Sequence, residues 1–399
     1  MFSRRLPRDL TTNRLTLAEE RMRRDGREVI DLTGTNPTRA GLTYPPDLLE
    51  PLADQRALTY SPAPFGLPSA REAVSRDYRR QGLDVPPERI VLTASTSEAY
   101  GFLFKLLCDA GDEVLVPRPS YPLFDHLTSL EMVAVRHYDL EYHARWTVDV
   151  ESVERAFTGR TRAVLVVSPN NPTGSYITRE ELDELASICA RRDAALIVDE
   201  VFADYALDAR AAASAGRATM TRGIGEIDGA LTFALGGLSK SVGLPQVKLG
   251  WMAIGGPAAA AADAMSRLEL ICDSYLSVGT PVQAAAAALL ERGAAVRAQI
   301  TERVRANLRT LESQAAAAAA VDVLRVEGGW SAVLRVPTLG SEDDLVLDLL
   351  TRDGVLTHPG YFFDFPHESF LVVSLLTPPS EFCEGVTRVL RHFDCTTSS

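Results

Sequence analysis

LTFALGGLSKSVGLPQVKLGW, residues 231–251, is the stretch on which the reading of this chain turns. It opens with an apolar run, 231–235, turns through Gly236 and Gly237, and leads into a second apolar run, 249–254. Of the 41 basic residues only Lys105, Lys240 and Lys248 are lysines, and two of the three fall inside this window. Arginine stands almost everywhere that a surface charge suffices. A retained lysine therefore marks a place that needs a side chain able to lose its proton and act as a nucleophile, which arginine cannot do. At a strand end, one of this pair could form an imine while the other neutralises a phosphate.

Outward from this window the same pattern repeats. Short apolar runs at Ile90–Thr93, 114–116, 163–167 and 194–198 precede it, and amphipathic stretches such as Arg179–Arg192 lie between several of them. Continuous apolar strands separated by helices predict a mostly parallel sheet covered on both faces. Ligands of such sheets sit beyond the carboxyl ends of the strands. The last part of the chain differs, with a long helical stretch at 280–319, strand patterns at 321–326 and 331–336 around Gly-Gly-Trp330, a helix near 342–352 and an apolar run at 370–376. The expected division is a large α/β domain, 46–279, and a smaller α+β domain formed by 280–399 together with the N-terminal segment 1–45.

Composition narrows the possibilities. The chain has 399 residues, a formal net charge of −12 and no long basic run, which argues against nucleic acid or an anionic membrane surface as partner. No segment approaches the roughly 20 apolar residues of a membrane span, and MFSRRLPRDL carries no apolar stretch of a secretory or twin-arginine signal. Five scattered cysteines without a CxxC pair point to reduced thiols in the cytoplasm. The six histidines show no metal-ligand spacing, so no metal is expected.

Each strand end carries its own chemistry. Ala94-Ser95-Thr96-Ser97 opens an apolar helix, offering free N–H groups, hydroxyls and the positive helix end to a phosphate; a plain N-cap is the alternative. Pro117-Arg118-Pro119-Ser120-Tyr121-Pro122 holds one aromatic ring in a rigid turn, as a stacking platform requires, though packing explains it equally. Ser168-Pro-Asn-Asn171-Pro-Thr-Gly174 places an amide donor beside a fixed turn. Asp199 and Glu200 end a buried strand, where a carboxylate is costly without a partner; a pyridinium nitrogen, a helix cap or an ion pair would each provide one.

In this order the motifs resemble the class I/II aminotransferases, the fold type I pyridoxal-phosphate enzymes, over nearly the whole chain. The resemblance implies that Lys240 forms the internal aldimine with pyridoxal 5'-phosphate and that Asp199 keeps the pyridine nitrogen protonated. It assigns Asn171 to the ring 3-hydroxyl oxygen, Tyr121 to stacking, and Ser95, Thr96, Ser97 and Lys248 to the phosphate. Tyr60, in Tyr60-Ser-Pro-Ala-Pro-Phe-Gly66 ahead of Arg71, is similar to the tyrosine that reaches the partner subunit's phosphate, which implies a homodimer with shared active sites. Gly34, within Asp31-Leu-Thr-Gly-Thr-Asn36-Pro, matches the glycine beside the substrate.

Two positions depart from the family pattern. Phe202 stands where a tyrosine usually donates to the 3-hydroxyl oxygen, and Val372 stands where an arginine clamps the substrate carboxylate. Arg39, His358 and His367 are the candidate replacements, and Tyr361-Phe362-Phe363 makes that side apolar. The implied activity is amino-group transfer between an amino compound and a keto acid or aldehyde. The alternative is a lyase, a γ-replacement or a C–C bond-forming enzyme of a specialised biosynthetic pathway on the same fold. A non-catalytic cofactor-binding protein fits poorly with Lys240 and Asp199 both retained.

Overall fold

The computed structural model describes residues 2–208, 229–318, 320–337, 340–367 and 369–397. Its largest sheet has eight strands in the order Ile90–Thr93, Gly250–Gly255, Thr232–Gly237, Ala195–Asp199, Thr161–Val167, Glu113–Arg118, Ala134–Tyr142 and Trp146–Val148. From Thr232–Gly237 to Ala134–Tyr142 every neighbouring pair is parallel. Gly250–Gly255 runs against both its neighbours, and Trp146–Val148 runs against Ala134–Tyr142. Six strands therefore deliver their carboxyl ends to one edge. The expected α/β architecture with a mostly parallel sheet is the one observed.

The apolar runs are continuous because both faces of the sheet are covered. Along the strands, Val91, Leu165, Ile197, Phe233 and Met252 pack on one face with Tyr100, Phe104 and Leu268 from the helices Thr96–Leu107 and Ala258–Tyr275. Their neighbours Leu92, Val164, Val198, Ala234 and Ala253 face a second core, which takes in Leu185 and Leu289 and continues into the C-terminal part. The strands Ala134–Tyr142 and Trp146–Val148 escaped the sequence reading. Near the edge of the sheet, charged residues alternate with apolar ones, and only Tyr138 and Leu140 of the longer strand are buried.

The smaller sheet is antiparallel, in the order Asp322–Val323, Ser331–Arg335, Phe370–Ser374, His358–Pro359. The N-terminal segment joins this part, as Ile30 and Asp31 pair in parallel with Val355 and Leu356. The two sheets meet where the turn before Trp330 docks on the Ser168–Gly174 turn. The Gly328 N–H donates to Gly174 O at 2.8 Å, and Glu327 accepts from Tyr176 N at 3.0 Å and from Arg145.

The stretch expected as one long helix, 280–319, is two helices, Thr280–Arg292 and Ala294–Ala315. Gly293 between them has φ −66°, which any residue adopts, so the cause is steric. A Cβ there would lie 2.6 Å from both Leu289 O and Val242 Cβ, and Val242 follows the turn that carries Lys240. Alanine is the better helix former by about 1 kcal/mol, but overpacking against fixed neighbours costs about 1–3 kcal/mol. Gly293→Ala is therefore expected to lower the urea midpoint; an unchanged or higher midpoint would show that the contact relaxes freely.

Candidate active site

Lys240 sits in a one-turn helix, Leu238–Ser241, directly after the strand Thr232–Gly237. The glycines before it are required by close approach rather than by conformation. A Cβ on Gly236 would meet the indole nitrogen of Trp251 at 2.5 Å. The Lys240 Nζ lies 5.0 Å from the ring centre of Trp330 and 5.5 Å from that of Phe202. Both ring faces attract a cation. Phe202 and Trp330 meet edge to face at 5.2 Å, so the amine rests against a formed aromatic corner.

Asp199 ends its strand on the side of the helix Thr96–Leu107. Its Oδ2 accepts from the Tyr100 hydroxyl at 3.0 Å and its Oδ1 from the Val201 N–H at 3.1 Å. Burial pushes this carboxyl up to about 6, against the stabilising effects of the Val201 N–H, the Tyr100 hydroxyl and the Lys240 charge. Burial in turn pulls the Lys240 ammonium down to about 8, with Asp199 acting the other way. The Tyr100 phenol is held well above its ordinary range by burial and by Asp199, so it remains a donor.

The helix start beyond Ile90–Thr93 combines both readings of its sequence. Ser95 is an N-cap, accepting from Glu98 N at 3.1 Å, and Glu98 reaches back to Ala94 N at 2.7 Å. The Ser95 hydroxyl is thus engaged as an acceptor. Thr96 and Ser97 occupy the first turn, where N–H groups have no carbonyl a turn earlier to meet. Gly250 permits the close passage of the neighbouring strand, since a Cβ there would lie 2.9 Å from the Ser95 carbonyl carbon and 3.1 Å from Thr96 N. Lys248, two residues earlier, is exposed at φ +61°.

In the Ser168–Gly174 turn, Asn171 Oδ1 accepts from the Ser331 hydroxyl at 3.3 Å, which leaves the amide NH2 as its free donor end. Gly34 lies against the smaller sheet, its carbonyl accepting from Ser374 Oγ at 2.7 Å. Val372 is on the same face, directly opposite Val333 on one side and His358 on the other. Val372 is buried. The His358 Nδ1 is buried without a protein partner, and its ring contacts Phe362 and Phe363 at 5.7 Å. Burial holds this imidazole below its ordinary value, with Asp31 opposing. The positions expected to clamp a carboxylate on this strand pair are therefore valine and imidazole rather than guanidinium.

Other expected residues are exposed or occupied in capping turns. Asn36 uses its side chain to cap the turn Pro37–Arg39, accepting from Thr38 N at 3.0 Å, and Arg39 and His367 are exposed. Tyr121 is 47% exposed and Tyr60 74%. Arg71 donates to Pro87 O at 3.3 Å. Conversely, Tyr100, Tyr205, Trp330 and Ser331 take part in the site and were not singled out from sequence; Gly-Gly-Trp330 ahead of a strand was the one available signal. Among the described residues no cluster of three or more His, Cys, Asp or Glu could hold a metal, and no helix is long and apolar enough to cross a membrane.

Comparison with known proteins places this geometry in context. The model of the family "Aminotransferase class I and II" matches residues 27–389. A glutamate-pyruvate aminotransferase of Escherichia coli K12 is 29% identical over 267 residues, covering 66% of this chain and 64% of that protein, under two thirds of the relative's length. An alanine aminotransferase of Mycobacterium tuberculosis is 27% identical over 386 residues, 92% of this chain and 86% of that one. The structure of an alanine aminotransferase from Pyrococcus furiosus matches with a TM-score of 0.86 at 22% identity, over 99% of this chain and all of that one.

Proposed function

Because the chain belongs to the class I and II aminotransferases, we propose that it transfers an amino group between an amino compound and a keto acid or aldehyde, with pyridoxal 5'-phosphate held at Lys240. The observation that carries this reading is the pair at the strand ends, a buried acid at Asp199 and a half-buried amine at Lys240, each shifted by desolvation toward neutral pH. The residues fit the cofactor. A buried carboxylate suits a protonated ring nitrogen, the Asn171 NH2 suits a phenolate oxygen, and the N–H groups of Thr96 and Ser97 with Lys248 suit a phosphate. When bound, the cofactor supplies an electron sink for the substrate's α-carbon.

The protein's own part is orientation and proton handling. An amine with a value near 8 releases and regains a proton readily at physiological pH, which is the property of a general base. Phe202 offers no hydrogen-bond donor and instead closes the aromatic corner around Nζ. Residues 46–279 hold the cofactor, while 1–45 and 280–399 bring Gly34, Val372 and His358 to the substrate. The names of the relatives put glutamate, alanine and pyruvate first in a substrate panel. Valine and imidazole at 372 and 358, in place of a guanidinium, add amines without an α-carboxylate to it.

On this reading borohydride fixes the cofactor to Lys240, and the right amino donor bleaches the visible absorbance in step with release of a carbonyl product. An adduct on Lys105 or Lys248, or release of ammonia or a cleaved fragment without bleaching, contradicts it.

The same reading makes the enzyme a homodimer, with the exposed Tyr60 completing the partner subunit's phosphate site. Exposed Leu58, Leu270 and Tyr275 supply apolar surface for such contact. Lys240→Ala and Tyr60→Ala are then each inactive alone. After mixing and re-association they recover up to about a quarter of full activity, since half the dimers are hybrids with one intact site each. No recovery despite proven subunit exchange would place Tyr60 in its own chain's site.

A further inference from the structure

The short helix that carries Lys240 ends in a cage of donors that the chemistry described so far does not use. A helix of one turn leaves its last carbonyls short of donors; from the main chain Lys240 O accepts the Gly243 N–H at a long 3.3 Å, and a buried carbonyl poorly supplied with donors is costly. Here the Tyr205 hydroxyl donates to Lys240 O at 2.6 Å and reaches Ser241 O at 3.3 Å. Arg297, from the helix Ala294–Ala315, donates its Nε to Ser241 O at 2.9 Å. Both donors are buried.

Arg297 is held in place by charge. It lies 3.7 Å from Asp77 and 3.4 Å from Asp204, and the same two carboxylates bind Arg80 at 2.9 and 2.6 Å. Two arginines and two aspartates, drawn from three separated segments, form a charge-balanced cluster beneath the Lys240 turn. Such an arrangement contributes little net stability compared with apolar packing, because desolvation offsets most of its attraction. Its directional effect is larger: it fixes where the guanidinium points.

Tyr205 connects the turn to the other half of the pair. It lies six residues after Asp199, its ring packs on Trp330 at 5.2 Å, and its phenol is held well above the ordinary range by burial, so it stays a donor. The segment 199–205 thus grips Lys240 at both ends. Phe202 meets the amine, with Trp330 beside it, while Tyr205 holds the main-chain carbonyl.

We propose that Tyr205 and Arg297 are positioning residues for Lys240, fixing the main chain of its turn so that the amine meets the aromatic corner opposite Asp199. The proposal rests on the reading that Lys240 binds the cofactor. Tyr205→Phe keeps the ring on Trp330 and removes only the hydroxyl. Tyr138→Phe is the control, because Tyr138 is another buried tyrosine donating to a main-chain carbonyl, that of Leu165 at 2.7 Å, outside both the Lys240 turn and the segment 199–205.

The experiment uses the full-length chain stripped of cofactor and then reloaded with pyridoxal phosphate. In Tyr205→Phe the borohydride adduct still forms at Lys240. The rate of cofactor capture falls about fivefold to tenfold, the scale of one hydrogen bond. On reloading, kcat falls by a similar factor while KM for the amino donor stays within about twofold. Tyr138→Phe shows neither fall. Arg297→Lys, which keeps a cation between Asp77 and Asp204 but gives up the Nε donor, shows the same split by a smaller factor. Unchanged capture and kcat in Tyr205→Phe and Arg297→Lys, or equal losses in Tyr138→Phe, overturn the positioning role. Absence of a Lys240 adduct in the unaltered protein would instead remove the cofactor reading beneath it.

Discussion

Asp199 and Lys240 are both withdrawn from water at the carboxyl edge of the large sheet, and the attraction between them offsets only part of what burial costs each. For Asp199 the folded value, about 6, lies above the ordinary 3.8, so its cost is absent below about pH 4 and complete above about 6. For Lys240 the folded value, about 8, lies below 10.5, so its cost is complete below about pH 8 and fades toward 10.5. Between pH 6 and 8 the two costs coincide. Such a pair weakens the fold around neutral pH, and a cationic ring nitrogen opposite Asp199 is the kind of partner that would relieve the acid's share.

Much of the surrounding structure follows from keeping these two groups close without letting them move. Gly236 and Gly250 let the strands beside Lys240 approach side chains and backbone where a Cβ would collide. Tyr100 reaches Asp199 from the helix Thr96–Leu107, whose first turn follows the strand Ile90–Thr93. The turn before Trp330, docked on Gly174 and on Tyr205, carries the aromatic wall from the smaller sheet to the amine. The Asn171–Ser331 and Gly34–Ser374 contacts then bind the substrate side to the same framework.

What the sequence disclosed follows from how local each signal is. Lys240 stood out because lysine is nearly absent elsewhere, and Asp199 because a charge ends an otherwise apolar strand. The parallel sheet was legible in runs such as 163–167, whose two faces are both buried. The edge strand Ala134–Tyr142 was not, since half-exposed residues carry no apolar run. Gly293, between the two helices, is required by close approach to Val242, about fifty residues earlier in the chain, and nothing within the helical stretch announces that contact. Tyr100, Tyr205 and Trp330 are likewise ordinary apolar residues until the fold sets them beside partners 99, 35 and 90 positions away. Ser95 shows the mixed case, a residue read as phosphate contact or cap whose hydroxyl the helix already uses.

The coupling between the buried acid and the half-buried amine is what the rest depends on most directly. It is measured as the pH dependence of Lys240 modification by an amine-specific reagent in cofactor-free protein, with the Lys240 peptide followed by mass spectrometry. The account predicts a midpoint near 8 in the unaltered chain and a lower midpoint in Asp199→Asn, where the charge that favours the ammonium is gone. A midpoint near the ordinary 10.5 of lysine, or one that does not move when Asp199 is replaced, would contradict it.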